Sequence, residues 1–140
     1  MQSSHQNARK GATIAHVGIA VRGLDENTLS LYRDVLGMDT VPVDDSDGAQ
    51  IVAFGAGPSL VELLSADSAE SPIGKFLAKR GPGIHHICFA VDDLDATLDR
   101  CRAHGIRLID ETPRLGAERK RIAFLHPSST AGVLVELSER

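Results

Sequence analysis

The chain repeats itself at a spacing of seventy residues, and this repeat constrains its fold more than any other feature. A repeat of this kind indicates two copies of one supersecondary unit, so we expect one domain made of two similar modules. Three pairs of segments align, the third at a slightly larger spacing: "IAHVGIAV" (14–21) with "IHHICFAV" (84–91), "IVAF" (51–54) with "RIAF" (121–124), and "LVELL" (60–64) with "LVELS" (134–138).

Each module is predicted to run as a strand, a helix and further strands, which is an α+β arrangement. Amphipathic patterns over about 25–37 and 95–105 predict helices that cover one side of a sheet. Between the modules, Ser71 as an N-cap and Pro72 in the first turn predict a connecting helix.

Turn residues between the apolar runs set the remaining boundaries. We expect strands near 38–43 and 106–110, and hairpins of 50–55 with 60–64 and of 121–126 with 132–138. The predicted organisation is a disordered tail at 1–11, a single domain at 12–140, module 1 at about 12–66, the connecting helix at about 71–81 and module 2 at about 83–140.

The composition favours a cytoplasmic protein with a small-molecule site. Its formal net charge of -4 provides no broad basic surface for nucleic acid. The apolar runs are far shorter than a membrane span, and the N-terminal residues contain no apolar segment of a secretory signal, so no membrane partner is expected. Cys88 and Cys101 lie in apolar-periodic segments and form no recognisable zinc pair, so we expect buried free thiols.

The alternation of side chains along the predicted strands singles out two histidines and two glutamates. Successive side chains of a strand point to opposite faces, so His16 shares its face with small residues and leaves the bulky Val and Ile side chains on the other. His86 occupies the equivalent face of the repeat, again beside small residues that leave room for a ligand. By the same alternation, Glu62 and Glu136 point away from the Val and Leu residues beside them.

Imidazoles and carboxylates in this pattern are typical of a divalent metal site. A buried carboxylate is costly unless a cation or several hydrogen-bond donors compensate for it. The donor set suits Co, Mn, Ni, Zn or Fe(II), with positions left for water or substrate. In the alternative interpretation each residue is structural, either a satisfied histidine or a glutamate paired with Arg or Lys. The symmetric recurrence of all four favours the metal site.

The remaining histidines, and an acidic residue in a loop, are expected to have no metal role. Strict alternation places His85 on the outward face of its strand, opposite to His86. His104 lies at the polar C-terminal end of a helix, Glu111 lies in a loop, and His5 belongs to the tail.

Several longer segments carry a resemblance to a known family. The stretches "LYRDVLGM", "SPIGKFLAKRGPGIHHICFAVDDLDA" and "RIAFLHPSSTAGVLVEL" resemble the vicinal oxygen chelate superfamily and, within it, the methylmalonyl-CoA epimerases. The resemblance implies two paired βαβββ modules that form a cupped mixed sheet with helices on the outer side. It also implies that His16, His86 and Glu136 are metal ligands, with Glu62 in a fourth position that is Gln or Glu in relatives. Cobalt as the metal and a homodimer are further implications.

The activity implied by the resemblance is interconversion of the 2R and 2S epimers of methylmalonyl-CoA, an acyl-CoA thioester, through a metal-stabilised enolate. Such a reaction needs an acid and a base on opposite faces of C2, and Glu136 and Glu62 are the candidates. The alternatives are a glyoxalase I-type lactoylglutathione lyase and a non-catalytic small-molecule-binding protein of the same fold. Ethylmalonyl-CoA stays open as a substrate.

Two positions depart from the pattern of the epimerases. Some relatives carry an additional glutamate on the strand written "AQIVAF" here, where this chain has Gln50 and Ile51. Several also carry a lysine where this chain has Ser128. The first departure leaves the two proton-transfer roles to Glu136 and Glu62, and the second removes one cation that could contact the phosphates of coenzyme A.

Overall fold

A computed structural model describes residues 11–44, 48–116 and 119–140, so the predicted tail lies outside the described residues except for Gly11. The internal repeat is visible in the order of its elements. They are β1 (Thr13–Ala20), α1 (Glu26–Ser30) with a π-helical continuation (Leu31–Val35), β2 (Thr40–Val41), β3 (Ala49–Ala56), β4 (Ser59–Ala66), α2 (Pro72–Arg80), β5 (Gly83–Val91), α3 (Leu94–Ala103), β6 (Arg114–Leu115), β7 (Arg121–Leu125), a 3₁₀ turn (Pro127–Ser129) and β8 (Leu134–Glu139).

In the described part of the chain, eight strands form one mixed sheet in the order β2-β3-β4-β1-β5-β8-β7-β6. The first strand of each half lies parallel to the last strand of that half, β1 beside β4 and β5 beside β8. The halves join where β1 and β5 pair antiparallel. The predicted α+β fold of two βαβββ units in a curved sheet is therefore confirmed.

The helices pack on both faces of the sheet. On the outer face, Leu94 and Leu98 of α3 pack in one cluster with Ala123 and Leu137 of the second half. The continuation of α1 covers the first half, where the ring of Tyr32 stacks on Phe54 with centroids 5.4 Å apart. None of the residues from Glu26 to Val35 is itself buried.

The connecting helix α2 packs on the inner face and closes part of the cup. Ser71 caps it by accepting a hydrogen bond from Gly74 N, and Gly81 ends it at φ 75°. Its Ile73 and Leu77 cluster with apolar residues of the first half, including Leu64. Since Ile73 and Leu64 also line the central cavity, α2 forms one wall of that cavity.

The strand predicted at 106–110 is wrong. Leu108 forms only an isolated bridge with Leu125, and the edge strand of the second half is instead β6. Here the backbone N–H of Phe124 in β7 donates its hydrogen bond to the Asp110 carboxylate, at 2.8 Å, and not to the backbone of a neighbouring strand. Acidic side chains commonly compete with sheet hydrogen bonds in this way. Among the described residues, no helix is both long and apolar enough to cross a bilayer.

Gly74 provides a test of the packing around α2. A Cβ at this position would lie 2.2 Å from the carbonyl oxygen of Ser68. Helix propensity alone predicts that Gly74→Ala stabilises the protein by about 1 kcal/mol. The contact with a backbone atom reverses the sign, and we expect a loss of about 1–3 kcal/mol in the free energy of unfolding, measured by urea denaturation. Lys75→Ala, at an exposed position of the same helix, is the control and should change stability by less than about 0.5 kcal/mol. Equal or greater stability of Gly74→Ala would contradict this packing.

Candidate metal centre

The four polar residues singled out by the repeat lie on the four central strands of the sheet. Glu62 on β4 stands beside the β1 strand that carries His16, and Glu136 on β8 stands beside the β5 strand that carries His86. All four side chains line one open cavity of about 840 Å³. The predicted convergence of these residues is therefore present in the structure.

The donor atoms of the four side chains lie close together. The Nε2 atom of His16 is 2.9 Å from Nε2 of His86, 3.6 Å from Oε1 of Glu62 and 3.5 Å from Oε1 of Glu136. The Nε2 atom of His86 is 3.3 Å from Oε1 of Glu136. Two ligands about 2.1 Å from one cation and 90 to 109° apart are separated by about 3.0 to 3.4 Å. The spacing and the chemistry of the donors therefore fit a divalent cation.

Glu136 is a strongly perturbed acid of the site. Burial alone would raise its pKa, but hydrogen bonds from His16 and His86, together with their charges, lower the pKa to about 2. Glu136 as a whole residue is only 9% exposed, so these interactions act with little competition from water. Glu136 is therefore ionised at neutral pH, which is the state that a cation requires of its ligand.

Two β-bulges lie immediately before the two histidines. Along the pairing of β1 with β5, Ala15 and His85 are each an extra residue without a partner in the opposite strand. A bulge breaks the strict alternation of side chains and can turn a neighbouring side chain toward the same face. Because of this geometry, both His85 and His86 line the cavity.

The prediction that His85 faces outward is therefore wrong. Its Nδ1 atom lies 3.0 Å from Nδ1 of His86, and the edge of its ring contacts Phe76 of α2 with centroids 5.1 Å apart. Burial, assisted by the charge of His86, lowers the pKa of His85 to about 4. His85 is thus a neutral imidazole at neutral pH, placed behind a candidate ligand.

Gly18 lies directly beneath the ring of His86 in the neighbouring strand. The two residues are register partners, and a Cβ on Gly18 would lie 2.3 Å from Cε1 of His86. The small residues on this face were expected to leave room for a ligand. At Gly18 this space is occupied by the ring of His86 itself. The absence of a side chain on Gly18 therefore allows the ring its present position in the cavity.

Cys88 also reaches the group of donors. Its sulfur belongs to a set with His16 and Glu136 whose ligand atoms all lie within 4.8 Å of one another. Burial, followed by the charges of Glu136 and Glu62, raises the pKa of the Cys88 thiol far above its ordinary range. The predicted buried free thiol is confirmed for Cys88, whereas Cys101 is only partly buried. The sequence signal for the contact was the shared strand face of Cys88 and His86.

The other residues discussed in the sequence analysis do not belong to the group of candidate metal ligands. His104 donates a hydrogen bond from Nδ1 to the carbonyl oxygen of Arg100, and Glu111 lies 3.7 Å from Arg102; both His104 and Glu111 are at the surface. Ile51 lines the cavity, Gln50 is exposed, and Ser128 contacts Arg107. Asp44 lines the cavity as a third carboxylate, which strand patterns could not reveal because it lies in a loop.

Comparison with known proteins points to one family. Residues 9–124 match the profile of the Glyoxalase/Bleomycin resistance protein/Dioxygenase superfamily. The chain is 43% identical to the mitochondrial methylmalonyl-CoA epimerase of Dictyostelium discoideum, over 89% of this chain and 76% of that protein. It is 41% identical to the ethylmalonyl-CoA/methylmalonyl-CoA epimerase of Cereibacter sphaeroides, over 89% of this chain and 95% of that protein. A solved methylmalonyl-CoA epimerase in complex with methylmalonyl-CoA and NH4+ superimposes with a TM-score of 0.83 at 34% identity, covering 93% of this chain and 95% of that chain.

Replacing Gly18 tests the position of the His86 ring. The added methyl group of Gly18→Ala must push the ring away from the other donors, so we expect affinity for Co²⁺ to fall about 10-fold or more in isothermal titration calorimetry. The fold should survive, with a loss of about 1–3 kcal/mol. Gly83→Ala is the matched control on the partner strand, since a Cβ there meets nothing within 4 Å. Unchanged affinity in Gly18→Ala would show that the ring does not need this close approach.

Proposed function

Because the chain belongs to the methylmalonyl-CoA epimerases of the glyoxalase/bleomycin resistance protein/dioxygenase superfamily, we propose that its cavity binds the 2-methylmalonyl thioester of coenzyme A and inverts the configuration at C2. The observation that carries this proposal is the convergence of two imidazoles and two carboxylates in the cavity. We further propose that His16, Glu62, His86 and Glu136 are the metal ligands.

The reaction is a proton transfer at carbon. The C2 carbon of the substrate is bonded to both a carboxylate and a thioester carbonyl. Removal of its hydrogen as a proton therefore gives an enolate. A divalent cation held by the four residues would supply the positive charge that stabilises this enolate. The remaining tasks belong to the protein, which must remove a proton from one face of C2 and return one to the other.

We propose Glu62 and Glu136 for these two tasks. They lie on β4 and β8, which flank the central pair of strands on opposite sides. Their side chains are 13% and 12% exposed, so bulk water does not readily compete for the proton. The hydrogen bonds that lower the pKa of Glu136 also make it a weak base. For Glu136 to accept a proton, its carboxylate must loosen the contacts that stabilise its negative charge in the donor group, which raises its pKa.

The cavity offers few other bases. Ile51 contributes an apolar wall to the cavity, and Gln50 is exposed. Within the described residues, the remaining carboxylate that lines the cavity is that of Asp44. Asp44 is therefore the alternative base if either glutamate proves dispensable.

The activity can be tested with each epimer separately. The protein, incubated in deuterated water with (2R)- or (2S)-methylmalonyl-CoA, should interconvert the epimers and incorporate deuterium at C2. Ethylmalonyl-CoA belongs in the same assay, because one relative is named for both substrates. Turnover of a glutathione hemithioacetal, without exchange at C2 of either thioester, would instead support a lactoylglutathione lyase.

The resemblance to the family also leads us to propose cobalt as the resident cation, a homodimer and a cytoplasmic location. Elemental analysis of the purified protein tests the first proposal. Light scattering coupled to size-exclusion chromatography tests the second, and a mass of one chain, 14.9 kDa, would contradict it.

The assignment of the two bases generates a sharper prediction. Glu62→Gln and Glu136→Gln each keep an oxygen ligand but lose a basic carboxylate, so epimerisation should fall about 100-fold or more while much of the metal content survives. A variant that lacks one base should still exchange the C2 proton of one epimer with solvent. Deuterium incorporation from each epimer, measured beside metal content, reveals which face has lost its base.

Asp44→Asn is the companion variant for this experiment. If Glu62 and Glu136 carry the protons, Asp44→Asn should epimerise at nearly the normal rate. Full activity of both glutamine variants with metal bound would contradict the assignment, and a loss in Asp44→Asn would then identify the base.

A further inference from the structure

We propose that His85 is a positioning residue that fixes the tautomer and the orientation of His86, so that Nε2 of His86 faces the cation. This inference rests on the metal centre of the proposed function. It concerns a residue that contacts a proposed ligand rather than the cation or the substrate carbon.

The two ring nitrogens of His86 have different surroundings. Nε2 lies among the other donors, 2.9 Å from Nε2 of His16 and 3.3 Å from the Glu136 carboxylate. Nδ1 lies on the other side of the ring, 3.0 Å from Nδ1 of His85. A neutral imidazole that offers the Nε2 lone pair to a cation carries its proton on Nδ1. That N–H then donates to the lone pair on Nδ1 of His85, whose own proton is on Nε2.

The backbone explains how adjacent residues of one strand can make this contact. His85 is the extra residue of the bulge between β1 and β5, whereas His86 keeps its register partner Gly18. The rings of His85 and His86 stand nearly perpendicular, with an interplanar angle of 88° and centroids 5.2 Å apart. In a regular strand the two side chains would lie on opposite faces and could not meet.

His85 is itself held by the connecting helix. The ring of Phe76 on α2 contacts it edge to face, and the guanidinium of Arg80 lies 5.9 Å from the centre of the Phe76 ring. A ring supported in this way can hold its neighbour in one rotamer. The ring of His86 is therefore confined by Gly18 beneath it and by His85 at its Nδ1 atom.

His85 does not belong to the donor set itself. Within the described ranges, the groups of side chains whose ligand atoms cluster within 4.8 Å contain His16, Glu62, His86, Cys88 and Glu136, but not His85. Its Nδ1 atom points to the rear nitrogen of His86 instead. Partners of this kind raise the basicity of a ligating imidazole and set its direction, and their loss typically weakens metal binding by about 10- to 100-fold.

Two substitutions separate the hydrogen bond from the packing. His85→Phe keeps a ring against Phe76 but cannot accept the hydrogen bond. His85→Asn loses the ring but places an amide oxygen near the position of Nδ1, where it can accept the same bond. We expect the affinity for Zn²⁺, measured by calorimetry on the full chain, to fall about 10- to 100-fold in His85→Phe and by less than about 3-fold in His85→Asn. His104→Phe, at the surface end of α3, is the control for a His-to-Phe change and should bind Zn²⁺ normally.

A spectroscopic measurement tests the hydrogen bond directly. In the Zn²⁺-loaded protein, ¹⁵N-edited NMR should show a slowly exchanging, downfield proton on Nδ1 of His86. This signal should persist in His85→Asn and should shift upfield or disappear by exchange in His85→Phe. A purely structural role for His85 would change stability without the rescue by Asn.

Several results would overturn the inference. Normal Zn²⁺ affinity and an unchanged Nδ1 proton in His85→Phe would show that His86 needs no partner. Normal affinity combined with a raised KM for methylmalonyl-CoA would assign His85 to substrate binding instead. If the unaltered protein binds neither Zn²⁺ nor Co²⁺, the metal centre itself fails, and the deuterium assay decides separately whether the epimerase activity stands.

Discussion

The antiparallel pairing of β1 with β5 is the interaction on which the rest of the structure depends. It joins the two halves of the chain into one sheet and brings together the strands that carry His16 and His86. The parallel neighbours β4 and β8 then add Glu62 and Glu136 in equivalent register. The four donors therefore converge because of sheet pairing rather than loop conformation. Side chains placed on paired strands hold their geometry more closely than side chains on loops, which suits the proposed site, where both a cation and a reacting carbon would have to be held.

The electrostatics of the site follow from this placement. Burying Glu136 in a partly apolar cup costs solvation, and the two imidazoles beside it offset that cost, as its low pKa shows. Among the residues the structure describes, no buried side-chain nitrogen or oxygen lacks a partner. Folding thus assembles the donor group with its polar atoms satisfied. The same attraction opposes proton uptake by Glu136, so the proposed catalysis depends on how easily these contacts loosen.

The sequence predicted much of this arrangement, because its strongest signals were local or repeated. The repeat and the turn residues predicted the order of the elements, and strand alternation brought His16, Glu62, His86 and Glu136 to one face. The alternation failed at Ala15 and His85, since a bulge depends on pairing with a strand that is distant in sequence. It also failed near Leu108, where the Asp110 side chain takes the place of a ladder bond. Neither event changes the local hydrophobic pattern, so neither leaves a signal in it.

The two glutamates come from matching strands of the two halves, which suits the symmetry of the proposed reaction. Substrate and product differ only in configuration at one carbon, so the same two groups must act in both directions, each as a base in one direction and as an acid in the other. A sheet in which β1 and β4 are matched by β5 and β8 presents one glutamate from each half. Duplication of one module is thus a direct route to a pair of carboxylates that approach one carbon from two sides. At the two equivalent bulges, Ala15 carries only a methyl group, whereas His85 carries an imidazole that contacts Nδ1 of His86, so the two halves differ in what stands behind their proposed histidine ligands.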